Sequence, residues 1–341
     1  MRFLFRAVLG AVVFFATILI LALAGASYWA YGQYKAPGPL KETTTINIPR
    51  GSSVYGISQT LLHHGIVDPA AFTPVNIFVH ASGITGQAQT LKAGEYEFTP
   101  HISIKEILDK LESGQVVMRQ ITIREGLTNH EIVQLLNQEK DIEKQNTPQY
   151  PEGTLLPETY SYASGDSNAD ILLRMNLAME QVLQEAWENR AEGLPLETKE
   201  EALVLASIIE KETAIASERR RVAGVFVNRL RVGIALQTDP TVIYALTEGK
   251  PQNEGKGPLG RRLLRKDLEI DSPYNTYKYP GLPPTSIANP GKASIEAALN
   301  PEEHEYFYFV ADGTGGHAFA RTLEEHNNNV AKWRKIRRRS K

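Results

Sequence analysis

Glu210 ends an almost uncharged run, Ala202-Leu203-Val204-Leu205-Ala206-Ser207-Ile208-Ile209-Glu210, followed by Lys211-Glu212-Thr213. At 3.6 residues per turn it shares a helical stripe with Leu203, Ala206, Ser207 and Thr213/Ala214. Small and apolar neighbours disfavour a charged carboxylate and so raise its pKa. A carboxyl raised in this way donates a proton near neutrality, as cleavage of a glycosidic bond requires. Glu212 follows Leu205 and Ile208 in the same pattern, so periodicity alone admits either acid. It also admits a plain helix that surfaces at its first charged residue.

Downstream segments place polar and aromatic residues at turn positions. They are Asn228-Arg229-Leu230, Leu236-Gln237-Thr238-Asp239-Pro240-Thr241-Val242-Ile243-Tyr244, Asp271-Ser272-Pro273-Tyr274-Asn275-Thr276-Tyr277 and Gly281-Leu282-Pro283-Pro284-Thr285-Ser286 running on to Asn289-Pro290-Gly291. Tyr306-Phe307-Tyr308-Phe309 follows, with Asp312, His317, Phe319 and His326 beyond it. Such residues suit a carbohydrate groove: sugar faces stack on Tyr, hydroxyl and acetamido groups bond to Asn, Gln and Asp, and Pro-rich turns hold the side chains still. Taken one at a time these segments are ordinary turn chemistry. The eight His form no H-E-x-x-H or other ligand spacing, so no metal and no cofactor is expected. There is no G-x-S-x-G elbow for serine-type hydrolysis, and the absence of Cys excludes disulfides and thiol catalysis.

The elements that must carry these residues can be read from their punctuation. Thr198-Lys199-Glu200-Glu201 has the capping-box form, which starts the helix of Glu210 there. Ile121-Thr122-Ile123-Arg124-Glu125-Gly126-Leu127-Thr128, leading to Ile132 and Leu136, repeats the pattern of Ile46-Asn47-Ile48-Pro49-Arg50-Gly51-Ser52-Ser53, leading to Ile57 and Leu61. Each reads as strand, Gly turn, Ser/Thr cap and amphipathic helix, which predicts two related βα units in separate modules. Leu91 to Phe98 reads as a further strand, and Ser103 caps a helix that ends near Gly114. Residues 46–118 thus form a small α+β module, whose first unit resembles a LysM glycan-binding module. Residues 119–331 form a larger α+β domain, with a polar insert at 138–150 and a long helix from about Ala169 to Ala191. Residues 332–341 are a basic tail, read as a solvated end.

Charge is nearly balanced, 37 basic against 39 acidic residues, so no global field points to nucleic acid. Ala7 to Ala24 is uncharged and apolar, long enough for a slightly short membrane helix; Arg2 and Arg6 precede it and Tyr28, Trp29, Tyr31 and Tyr34 follow. A cleaved signal peptide competes, since Ala22-Leu23-Ala24 has the A-x-A form. The length and the aromatic belt favour a retained anchor over residues 7–28. Residues 1–6 then lie in the cytoplasm, and a spacer at 29–45 leads to the outside.

Together these strings resemble the YceG-like (MltG) family of endolytic murein transglycosylases. Ala206-Ser207-Ile208-Ile209-Glu210-Lys211-Glu212-Thr213 matches its catalytic-helix motif. Leu236 to Tyr244, Tyr274-Asn275-Thr276-Tyr277 and Gly281-Leu282-Pro283-Pro284 match its other signatures. Thr285-Ser286 departs from the Gly-Pro-Ile or Gly-Ala-Ile found in many members. The resemblance implies that Glu210, rather than Glu212, is the catalytic acid. It implies cleavage of the MurNAc–GlcNAc β-1,4 bond within nascent strands, leaving 1,6-anhydro ends, at the inner membrane and beside peptidoglycan synthases. Gln237, Asp239, Tyr244, Tyr274, Asn275 and Tyr277 are the expected substrate-binding residues. A non-catalytic wall-binding scaffold is the alternative, and it would not need an acid at 210.

Overall fold

The computed structural model describes residues 2–68, 74–250 and 258–339. Met1, the last two residues of the basic tail, and short stretches of the 46–118 module and the 119–331 domain lie outside them. The chain divides into two compact units, residues 1–119 with 163–165, and residues 120–162 with 166–341.

The first unit opens with helix α1 (Arg2–Lys35), of which Val8–Lys35 is the one span among the described residues long and apolar enough to cross a membrane. The helix continues through the aromatic cluster, so Tyr28, Trp29, Tyr31 and Tyr34 ride on it rather than on the spacer. Strand β1 (Thr44–Ile48), helices α2 (Val54–His63) and α3 (Pro74–Ile84), strand β2 (Gly94–Phe98) and helix α4 (Ile104–Ser113) follow. β1 and β2 pair antiparallel with Ile46 opposite Tyr96. Alternation turns Ile46, Ile48, Tyr96 and Phe98 inward against Leu61, Phe78 and Leu108. Ser103 forms a capping box with Glu106, and left-handed Gly114 closes α4, as the sequence predicts.

β3 (Met118–Thr122) pairs with β4 (Thr159–Ala163); in the second unit they flank α5 (Asn129–Gln138), against which α6 (Asn168–Glu188) packs. The repeated unit is visible in both places: a strand, a left-handed Gly (Gly51, Gly126), a Ser53 or Thr128 cap, and a helix of ten residues. The larger core is built around α7 (Lys199–Glu212), packed on α6, α8 (Arg219–Arg231), α9 (Asp239–Thr247) and α10 (Lys292–Leu299). Every residue of α7 from Ala202 to Ile209 is buried, because a helix apolar on all sides has no solvent face and must sit centrally. Thr198 caps it, accepting from Glu201 N, but the Glu201 carboxylate reaches Glu197 N (2.6 Å) instead of closing the box.

The C-terminal hairpin of β5 (Tyr308–Ala311) and β6 (His317–Ala320) pairs Phe309 with Phe319. Asn228 and Arg229 of α8 hold its approach: Asn228 Nδ2 donates to His304 O and Tyr306 O, and Arg229 Nε donates to Phe307 O (2.7 Å). The basic end is not a loose tail. It belongs to helix α11 (Leu323–Arg339), which packs on β5 and sets Ile336 against Gly313.

Candidate active site

α7 delivers Ser207 and Glu210, one turn apart, to the same segment of chain. The Ser207 hydroxyl donates to Val204 O (2.7 Å) and accepts from Ile287 N (3.0 Å). Glu210 Oε2 accepts from Gly291 N (3.1 Å) and from the Ser294 hydroxyl (2.7 Å), at the start of α10. Among the described residues, Oε1 takes no hydrogen bond. The start of α10 therefore faces this carboxyl group.

This corrects the expectation of an apolar pocket around Glu210, which is half-buried and has polar partners. The α7 carboxyl that burial pushes up is that of Glu212, beside the Thr238 hydroxyl, Asp239, His317 and Arg229. The reason lies one residue past the buried run: α7 surfaces where residues 287–291 cross it, and their backbone supplies donors that a helical wheel cannot show.

The six expected binding residues fall into separate groups. The rings of Tyr244 and Tyr274 lie 4.9 Å apart; Tyr244 reaches Glu152 Oε2 at 3.5 Å, and Tyr274 bonds the Thr285 hydroxyl (2.7 Å). A cleft of about 180 Å³ runs past Tyr244, Thr128, Ile287 and Lys211, the residue after Glu210. Tyr277 donates to Asp239 Oδ1 (2.7 Å) on the side of Glu212. Gln237 is exposed in a left-handed conformation, with its N–H on Thr276 O. Asn275 is fully buried, and its side chain is occupied within its own loop by Leu268 O, Ile270 O and Tyr277 N.

Residues not expected in the site surround Glu210 and the turn beside it. Gly126 packs against Glu210 Cγ, and Lys211 Nζ donates to Gly126 O (3.0 Å). That turn brings Glu125 against Gly291, where a Cβ would overlap the Glu125 carboxylate. Asn289 is fully buried and ties the turn down: its N–H donates to Leu127 O (2.9 Å), and its carbonyl accepts from Gly126 N (2.8 Å). Glu152 accepts from Asn129 N (2.8 Å) and lies within 3.3 Å of Asn289 Nδ2. The available sequence signal was the Gly126 turn itself, whose first copy carries Arg50 where the second carries Glu125.

Burial pushes the Glu152 carboxyl up to about 7, with hydrogen bonds from Asn129 and Gly153 opposing. Below the ordinary glutamate value the group is protonated in both folded and unfolded chains. Between there and about 7 only the unfolded chain ionises, so stability falls as pH rises; above about 7 the loss is complete. The loss is roughly 2–3 kcal/mol, allowing for partial exposure. Glu152→Gln is expected to remove that slope, as measured by denaturant unfolding from pH 4 to pH 8. An unchanged slope would locate the pH dependence elsewhere.

Comparison with known proteins agrees with this part of the chain. The model of the YceG-like family matches residues 46–332. An endolytic murein transglycosylase of Bacillus subtilis (strain 168) is 33% identical over 325 residues, covering 86% of this chain and 85% of that protein. One of Streptococcus pneumoniae (serotype 2, strain D39) is 29% identical over 375 residues, covering 94% of this chain but 64% of that protein. The crystal structure of a yceG-like protein from Listeria monocytogenes is 32% identical and aligns with a TM-score of 0.49, covering 84% of this chain and 98% of that one.

Proposed function

The chain belongs to the YceG-like family, and from that premise we propose that it is a lytic transglycosylase of peptidoglycan that cuts inside glycan strands with Glu210 as its acid. The observation that carries the assignment is the state of that carboxyl. One oxygen is fixed by Gly291 N–H and Ser294, and the other takes no hydrogen bond among the described residues.

Glu210 gives its proton to the glycosidic oxygen as the bond from the muramic C1 breaks, the electron pair leaving with that oxygen. The carboxylate that results is stabilised by the Gly291 N–H, the Ser294 hydroxyl and the start of α10. It then takes the proton of the muramic C6 hydroxyl, whose oxygen closes on C1. No water is consumed, and the products are a 1,6-anhydro-MurNAc end and a free GlcNAc 4-hydroxyl. One carboxyl acts first as acid and then as base, the order used by retaining glycosidases. Tyr244 and Tyr274, with the cleft beside Lys211, offer stacking faces for sugar rings; Gln237, Asp239 and Tyr277 extend the polar lining, and Asn275 holds their loop in shape.

α1 is the proposed anchor in the cytoplasmic (inner) membrane, crossing once with Arg2 and Arg6 inside and the chain after it outside. The spacer at 29–45 and the LysM-like module at 46–118 then hold the site near the membrane, where new strands emerge beside their synthases and where cutting limits strand length.

The test is mass spectrometry of purified glycan strands incubated with the full chain in detergent. Internal fragments with 1,6-anhydro ends are expected. Reducing ends would mean hydrolysis, and binding without cleavage would favour a wall-binding scaffold.

A further inference from the structure

Glu125 is set next to Glu210 by an arrangement with little slack. Its turn is pinned at three points: Gly126 N donates to Asn289 O, Asn289 N donates to Leu127 O, and Lys211 Nζ donates to Gly126 O. Left-handed Gly126 (φ 76°) lets the chain reverse there against Glu210 Cγ, a conformation that side chains rarely adopt. On the far side, the Glu125 carboxylate lies in the space that a Cβ at 291 would take. The N–H of that same glycine is the one Glu210 accepts. One glycine thus touches both acids, and the Glu125 side chain is exposed. The two carboxyls feel each other: partial loss of hydration and then the charge of Glu210 raise the Glu125 carboxyl, Arg219 opposes, and Glu158 adds to the rise. Arg219, at the start of α8, has a buried Nε with no hydrogen-bond partner among the described residues. Two further charges stand at the turn: Lys211, engaged by Gly126 O, and the exposed Arg124, which precedes Glu125.

We propose that Glu125 is a positioning residue for the transglycosylase reaction, acting on Glu210 as the second member of a carboxyl pair; this rests on the reading of Glu210 as the acid. Like charges at close range hold on to one proton between them, and such a pair titrates as a unit. At the start the pair carries one proton, which passes through Glu210 to the leaving oxygen. The pair is then doubly charged, facing the cationic C1 centre, and the charge on Glu125 strengthens Glu210 as a base for the C6 hydroxyl proton. When O6 bonds to C1 the proton is back on the pair, which is as it began. Glu125 exchanges no proton with the substrate in this cycle.

The test compares the full chain with its Glu125→Gln, Glu125→Asp and Glu210→Gln forms by two readouts. The first is NMR titration of carboxyl-13C-labelled glutamate, which needs no activity. The Glu125 resonance, assigned by its loss in Glu125→Gln and so told apart from the buried Glu152 and Glu212, is expected to titrate above the ordinary range in the parent and to move down in Glu210→Gln. The second is the pH–rate profile of anhydro-end formation. Glu125→Gln is expected to lower kcat tenfold or more with KM little changed and to move the alkaline limb down by about one pH unit, with partial rescue by Glu125→Asp. An unmoved titration in Glu210→Gln, or an unchanged profile in a folded Glu125→Gln, overturns the proposal. If the parent makes no anhydro ends while the coupled titration is present, the reading of the reaction fails and the carboxyl pair stands.

Discussion

Glu210→Gln is expected to slow formation of 1,6-anhydro ends by on the order of 10³ while leaving the fold intact. The amide has the shape of the acid. With its oxygen in the place of Oε2 it still accepts from Gly291 N and the Ser294 hydroxyl, so the start of α10 keeps its partner. What it lacks is a proton to give and a basic oxygen to take one back. Positioned acid–base groups contribute about 10²–10⁴, and a single carboxyl used twice belongs toward the upper part of that range. Glycan binding should survive, since the Tyr244–Tyr274 pair and the cleft beside Lys211 do not hydrogen-bond to Glu210. The checks are the rate of anhydro-end formation by mass spectrometry, glycan affinity, and the melting temperature of both forms. A rate within tenfold of the parent in a folded variant would remove Glu210 from the role of acid.

Local chemistry made much of the fold legible. The caps at Ser53, Ser103, Thr128 and Thr198, the left-handed Gly51, Gly114 and Gly126, and the apolar run of α7 are decided within a few residues of chain, and each stands where the sequence placed it. The surroundings of Glu210 were not legible for the opposite reason. Its donors come from Gly291 and Ser294, far along the chain, so a stripe of small residues on α7 predicted an apolar pocket where the folded chain supplies a helix terminus. Glu125 looked like a turn residue because its contact with Gly291 exists only after both segments dock. Asn275 had the composition of a sugar ligand, yet two carbonyls of its own loop claim its amide. Side-chain type indicates what a residue can bond to, and long-range docking decides what it meets. The basic end shows the same division: its charges are exposed, as read, while the helix that carries them and the contact of that helix with β5 come from docking.

Asn289→Ala is expected to be the most destabilising single change near the site. The side chain is fully buried, and all of its bonding capacity is used across three segments. Oδ1 accepts from Leu155 N (2.9 Å), and Nδ2 is shared among Leu127 O (2.9 Å), Asn129 Oδ1 (2.8 Å) and Glu152 Oε1 (3.3 Å). Truncation leaves the Leu155 N–H and the Asn129 amide oxygen without partners, each at about 1–3 kcal/mol, besides a small cavity. A total of about 3–5 kcal/mol is a large share of the 5–15 kcal/mol that typically holds a domain together. Asn289→Asp should do little better, because it restores the acceptor for Leu155 but sets a carboxylate against Glu152. Activity should fall further than the unfolded fraction explains. Asn289 also fixes the Gly126 turn and precedes Pro290-Gly291, so its loss loosens Glu125 and the donor to Glu210 together. Denaturant unfolding and the rate per folded molecule, measured below the melting temperature, separate the two effects. Destabilisation under about 1 kcal/mol with the rate preserved would show that the site is held by the backbone pairing of Asn289 with Gly126 and Leu127 and does not need the amide.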